Sequence, residues 1–311
     1  VYPDGSYAGI LGSRNTAHFY PHRLELLAAD IPLAGSIAER MASALAKGKL
    51  VPPEIMSDRY VHYRVPEFLL ASLDARPRST PLPPLPYERS AFFRVFPKAG
   101  LVAAVHGPAY TVVNLAKGGV IKSFDRTTGH ALLSDSGWVG ELEDGRLVTS
   151  QWIDPTFALS ATDHRWSARG SLQVIPSAKL FTLTTNLLFR LTLRLLGWSP
   201  HAMHWLKGRI RKALILGRRP VPCTFVRRIE TTVTTLTVTD ELRNNGRLRF
   251  RRLLLGGEIP VRYVPQSRFF QPHELQSEGN LLSPSELDRV NRGEHIRRVR
   301  NIPLAADLPA G

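Results

Sequence analysis

The chain has a single cysteine, Cys223, among 311 residues, which excludes an internal disulfide and any metal site built on several thiolates. Acidic residues are also scarce, 26 Asp and Glu against 41 Lys and Arg. There is no internal repeat and no low-complexity tract beyond one Pro-rich segment. Helix-turn-helix, zinc-finger, RRM and OB signatures are all missing, which argues against specific nucleic-acid recognition. The most apolar run, inside 177–217, is interrupted by Arg190 and Arg194, whereas a membrane helix needs about 20 nearly uncharged residues. The opening "VYPDGSYAG" has neither an initiator Met nor the charged-then-apolar layout of a signal peptide, and reads as a processed chain or a fragment. One cysteine suits a cytoplasmic or an exported bacterial protein; a periplasmic, extracellular or cell-envelope location is the expectation carried forward.

What is present is ordinary globular material with an unusual charge. Hydrophobic residues at 43% and charged ones at 22% are enough to bury a core, and the length suggests two domains. The formal charge of +15 creates a field that attracts polyanions: nucleic acid, anionic lipid or acidic polysaccharide. Much of the excess is Arg in the second half, in "GRRPVPCTFVRRIE", "RLRFRRLLL" and "HIRRVRN". Its planar fork suits carboxylate and phosphate alike. A genome that prefers Arg codons would produce the same excess without a function.

Apolar residues recur at helical spacing from Leu24 to Lys47, with Pro32 and Gly35 splitting the run into two helices. A further helix is expected from about Pro66 to Asp74. Five prolines in "ARPRSTPLPPLPYERS" then forbid helix interior and sheet centre, so 76–90 reads as a linker between a helical segment, 1–75, and a β-domain, 91–311. From Ala91 onward short β-rich runs alternate with Gly, Asp-Gly and Thr-Gly turn signals, as in an antiparallel sandwich. The insertion at 177–217 is expected to be a helical or hairpin excursion packed on the sandwich. The alternative is an amphipathic surface meeting anionic membrane through 198–212, where Trp198, Trp205, Lys207, Arg209, Arg211 and Lys212 fall.

Three features together resemble the heparinase II/III-like polysaccharide lyase group: Phe96-Pro97 with Gly100 opening the first β run, the strand-turn-strand "VVNLAKGGVIKSFD", and the strand pair "FVRRIETTVTTLTVTDEL". The likeness covers roughly residues 1–270 and is architectural. It implies an α+β multidomain protein: N-terminal helices forming the end of an α/α toroid, then a large antiparallel β-sandwich. It also implies β-elimination on a uronate-containing polysaccharide, with no cofactor, and with catalytic groups drawn mostly from the toroid cleft.

A uronate lyase needs a cation or amide on the carboxylate, a base for the C5 proton and an acid for the leaving oxygen. "DGSYAGILGSRNTAHFYPHRLELLA" offers each type: Arg14 or Asn15 for the carboxylate, His18 or His22 as base, Tyr20 or Tyr7 as acid or paired base. The same stretch is equally a Gly-turned, Ser13- or Asn15-capped helix entry. If helical, His18 and His22 would share a face, but no third ligand is evident, so no metal is expected. Tyr60, His62 and Arg64 in "DRYVHYR" and His106 beside Gly107 are further candidates for contacting substrate; a turn histidine and an interdomain segment explain them as well. Trp138, Trp152 and Trp166 could line a sugar platform or fill the core. The carboxylates Glu141, Glu143, Asp144, Asp154 and Asp163 allow a glycoside-hydrolase alternative. Outside enzymes, the chain reads as a non-catalytic polysaccharide or cell-envelope binding protein.

Overall fold

"PVPCTFVRRIETTVTTLTVTDELRN" alternates small polar or charged residues with aliphatic ones, and in the computed structural model it forms one long antiparallel hairpin with strict burial on every second residue. The structure describes residues 2–3, 23–47, 58–75, 81–152, 154, 157, 159–175, 184, 187, 190–192, 194, 199–210, 219–246, 248–256 and 280–304. Their order is α1 (Arg23–Leu27), α2 (Pro32–Ala46), α3 (Asp58–Asp74), β1 (Phe92–Phe96), β2 (Leu101–His106), β3 (Ala109–Asn114), β4 (Val120–Asp125), β5 (Ala131–Asp135), β6 (Trp138–Leu142), β7 (Leu147–Thr149), β8 (Ser160–Ala161), β9 (Arg165–Val174), α4 (Pro200–Ile210), β10 (Pro220–Thr231), β11 (Thr235–Asn244), β12 (Phe250–Leu255), β13 (Asn280–Leu281), α5 (Pro284–Asn291) and β14 (His295–Pro303).

The strands make two antiparallel sheets. β1 to β5 form a meander in sequence order, and the second sheet runs β13-β12-β6-β7-β9-β10-β11-β14 with β8 added beside β9. One sheet curls into a half-barrel. Val102, Ala104, Val113 and Ile121 of the meander pack against Trp166, Ala168, Ile229, Leu236 and Val238 of the second sheet. A second core lies along the other half of the large sheet, where Trp138, Phe225, Phe250 and Leu253 close under Val290 of α5. Helix α5 enters through a capping box: Ser283 Oγ accepts from the Glu286 amide, and the Glu286 carboxylate accepts from the Ser283 amide.

The meander is buried on its outer face too, so β3 and β4 carry continuous burial rather than alternation. Ala103, Val105, Tyr110, Val112 and Phe124 of that face meet Tyr2, Leu85, Tyr87, Leu33 and Ile37. Ser36 of α2 donates to the Pro83 carbonyl at 2.7 Å, and the guanidinium of Arg40 stacks over Tyr87. The second half of the Pro-rich stretch thus lies in the layer between α2 and the meander. α1, α2 and α3 pack together through Leu24, Ala38, Met41 and Ala71.

Several expectations change. The antiparallel sheets are present, while an α/α toroid is not shown by the described helices. Helix α3 begins eight residues before Pro66 and carries that proline inside: a proline costs one main-chain hydrogen bond, and a 17-residue helix tolerates it. Trp138, Trp152 and Trp166 are all buried, so they are core and not a sugar platform. In the insertion, α4 is a helix whose described residues are half-buried or exposed, none fully buried. Trp205 is 62% exposed with Arg209 against its ring. Among the described residues no helix is long and apolar enough to cross a membrane.

The two sheets are also joined by charge. Arg227 of β10, counted by composition as part of the basic surface, is buried and grips Asp240 of β11 bidentately at 2.6 and 3.2 Å. It reaches across to Asp135 of β5 at 3.0 Å and donates to the Gly119 carbonyl at 3.1 Å. Arg300 of β14 donates to both aspartates at 2.6 and 2.8 Å. Burial by itself would raise the Asp135 pKa, yet Arg227, Arg300 and the Gly137 amide hold it down at about 2.

Two tests follow from this packing. Removing Arg227 strands two buried carboxylates, so Arg227→Ala should cost about 3–5 kcal/mol, while Arg228→Ala, on the exposed side of the same strand, should cost less than about 1 kcal/mol. Because Asp135 is depressed from 3.8 to about 2, its contribution is complete above pH 4 and disappears as pH falls towards 2; roughly 2 kcal/mol should be lost over that window. Denaturant unfolding of wild type and Asp135→Asn across pH 6 to 2 checks this, the variant lacking that increment. Gly118 has φ +71° and an added Cβ would stand 2.1 Å from the Ser150 carbonyl oxygen, whereas Gly145, at φ +81°, has open space. Gly145→Ala should lose about 1 kcal/mol from backbone strain alone, and Gly118→Ala clearly more; equal losses would disprove the close approach.

Candidate functional site

Of the residues singled out by sequence, Tyr7, Arg14, Asn15, His18, Tyr20 and His22 lie outside the described residues. Tyr60, His62 and Arg64 fall on α3, where His62 is exposed and the side chains of Tyr60 and Arg64 lie outside the description. His106 is the one candidate held in a defined side-chain environment. It ends β2 and is followed by Gly107 at φ +52°, where a Cβ would meet the Val233 carbonyl oxygen at 2.4 Å. That contact sets the β2–β3 turn directly against the β10–β11 turn.

Around His106 the second sheet brings in what the sequence reading did not group with it. Asp163 and His164 are the two central residues of the tight turn joining β8 to β9, since Ala161 pairs with Trp166. The turn is tied down at three points: the Thr162 amide donates to the Arg165 carbonyl at 2.9 Å, the Thr231 amide to the His164 carbonyl at 3.0 Å, and the Trp166 indole to the Thr162 carbonyl at 2.8 Å. A ring nitrogen of His106, an oxygen of Asp163 and a ring nitrogen of His164 lie within 4.8 Å of one another. The His106 ring also lies 5.9 Å from that of Trp166. Burial lowers the pKa of His106, with Asp163 opposing and His164 reinforcing the shift.

The second feature is the outer face of β9, β10, β11 and β14. Strand register lines up Arg169, Val226, Glu241 and Arg297 in one row, Ser167, Arg228, Thr239 and Val299 in the next, and Ser171, Thr224, Arg243 and His295 in a third. With Arg165 and Glu230 at one end, the face carries five arginines against two glutamates. Glu241 is shared by Arg228 at 2.5 Å, His295 at 3.7 Å and Arg297 at 4.0 Å; the hydrogen bond from Arg228 chiefly lowers its pKa. Arg169 and Arg243 have no acidic partner among the described residues. Composition revealed the arginines, but only strand register reveals which of them share a surface.

Other chemistry is weaker here. Glu141 is half-buried and Asp144 exposed, paired with Arg252 and Arg146, and the hydrogen bonds from those arginines lower both pKa values. A glycosidase acid requires the opposite shift. The cavity beside Leu115, Ser150 and Trp152 has a volume of about 20 Å³, room for a water molecule and not for a sugar ring. Lys117 and Lys122 are buried, a placement no sequence signal announced. Burial, reinforced by Lys122, pulls Lys117 down to about 8.

No family model, curated protein or solved structure matches the chain.

Proposed function

We propose that this chain binds an acidic, uronate-containing polysaccharide along the outer face of β9, β10, β11 and β14. The observation that carries the reading is the shared exposure of Arg165, Arg169, Arg228, Arg243 and Arg297 on four hydrogen-bonded strands. Neighbouring strands are about 4.8 Å apart and alternate residues along a strand about 6.7 Å apart, so the guanidinium groups form a grid able to meet successive carboxylates or sulfates. Arg donates two parallel hydrogen bonds to such groups, and the interleaved Ser167, Ser171, Thr224, Thr237 and Thr239 supply hydroxyls for sugar oxygens.

The face has no Phe, Tyr or Trp. Single-stranded nucleic-acid binders combine basic grooves with aromatic stacking platforms, and that absence favours a charged sugar polymer over RNA or single-stranded DNA. The likeness of "VVNLAKGGVIKSFD" and "FVRRIETTVTTLTVTDEL" to heparinase II/III-like lyases points to the same class of polymer. It adds β-elimination by His18, Tyr20 and their neighbours as the catalytic form of the reading.

Binding to immobilised heparan-type, chondroitin-type, alginate and pectic chains tests the proposal. At least one polymer should bind, with affinity falling steeply as salt screens the arginines, and the double variant Arg228→Ser/Arg297→Ser should weaken it about tenfold or more. Unchanged binding in that variant, or tighter binding to single-stranded nucleic acid, would overturn it. In the same incubations, ultraviolet absorbance of an unsaturated uronate, lost in His18→Ala or Tyr20→Phe, would mark a lyase; binding without it leaves a non-catalytic binding protein.

A further inference from the structure

We propose that His106, Asp163 and His164 form a zinc site that ties the β8–β9 turn of the large sheet to the end of β2 in the meander. The inference does not rest on the polysaccharide reading: it uses none of the exposed arginines, although Arg165 at the end of that face directly follows His164.

Four observations carry it. First, the donor atoms of the three side chains lie within 4.8 Å of one another. Second, His106 is only 8% exposed and its Nε2 is buried with no hydrogen-bond partner among the described residues. An imidazole nitrogen left this way costs about 1–3 kcal/mol, and a metal ion is one group that satisfies it. Third, the turn bearing Asp163 and His164 is held by the main-chain hydrogen bonds of Thr162 and Thr231 and by the Trp166 indole, so the backbone that carries two ligands is fixed before an ion arrives. Fourth, Asp163 and His164 are exposed, at 58% and 65%, which leaves an entry path and a solvent side for a fourth, water ligand.

The donor set and the distances select the ion. Two imidazoles and one carboxylate suit zinc, whereas calcium and magnesium take oxygen ligands almost exclusively. Tetrahedral zinc with bonds of about 2.0–2.2 Å places its ligand atoms about 3.4 Å apart. His164 Nε2 and Asp163 Oδ2 already stand 3.5 Å apart. Bringing a separation of 4.8 Å to that spacing takes about 1.4 Å of movement, which rotation of the two exposed side chains can supply at little rotamer cost. The resulting site joins two sheets in a chain with no disulfide.

Calorimetric titration of chelator-treated full chain with zinc chloride tests this. Wild type should bind one ion with a dissociation constant of about 10 μM or tighter, and its thermal midpoint should rise with zinc. His164→Ala and Asp163→Asn, both on an exposed turn that folds without them, should each weaken binding about tenfold or more and abolish the thermal shift. His106→Gln should do the same if it folds. Failure of wild type to bind at about 100 μM zinc, or binding and thermal shift unchanged in His164→Ala, would overturn the site. The second result would move zinc to other histidines.

Discussion

The buried cluster of Arg227, Asp135, Asp240 and Arg300 is the constraint on which the rest of the arrangement depends. Its two positive and two negative groups come from β5, β10, β11 and β14, so neither sheet can satisfy its share of the charge alone. A lone buried charge is too costly to persist, and even a paired one is repaid only by close geometry and further hydrogen bonds. Here the Gly119 carbonyl and the Gly137 amide provide those bonds. Apolar packing between the sheets would accept small slips in register. The ion cluster does not, because displacement by a residue would turn Arg227 outward and leave both aspartates without it.

That fixed register has a consequence on the opposite side of the same strands. Since side chains alternate across a strand, holding Arg227 and Asp240 inward holds Arg228, Glu241 and Arg297 outward, and with them the rows of exposed arginines. The proposed polymer-binding face is therefore the reverse side of the ion cluster. The same hairpin, through its β10–β11 turn, abuts Gly107 next to His106. Surface charge, buried charge and the histidine cluster are all positioned by β10 and β11.

Much of the β architecture is legible from residue pattern. The alternation in "CTFVRRIETTVTTLTVTDEL" identifies a half-buried hairpin, and Gly100, Gly107 and Gly118 mark turns that do occur, each at positive φ. Helix α2 begins at Pro32, where proline suits a first helical position. Other features escape local pattern. "YVHYR" alternates as a strand would yet lies in α3, because helix formation over Asp58–Asp74 outweighs a short run of period two. Leu85 and Tyr87 sit in a Pro-rich segment that reads as a spacer, and they are buried because α2 and the meander close over them. Arg227 and Arg228 are neighbours of identical type, one in the core and one in solvent.

The sequence by itself determined the composition of this protein's possible chemistry: a cationic chain without disulfides, rich in strands, with arginine concentrated in its second half. Those properties follow from residue identity and period-two spacing, which act over a few neighbours. Tertiary structure alone decided which arginines are surface and which are core, which tryptophans pack, and which histidine meets an aspartate and a second histidine. His106 and His164 are separated by more than half a hundred residues of chain, and Arg227 and Asp135 by still more. Only the pairing of distant strands, fixed by burial and by the need to neutralise charge away from water, brings such groups together.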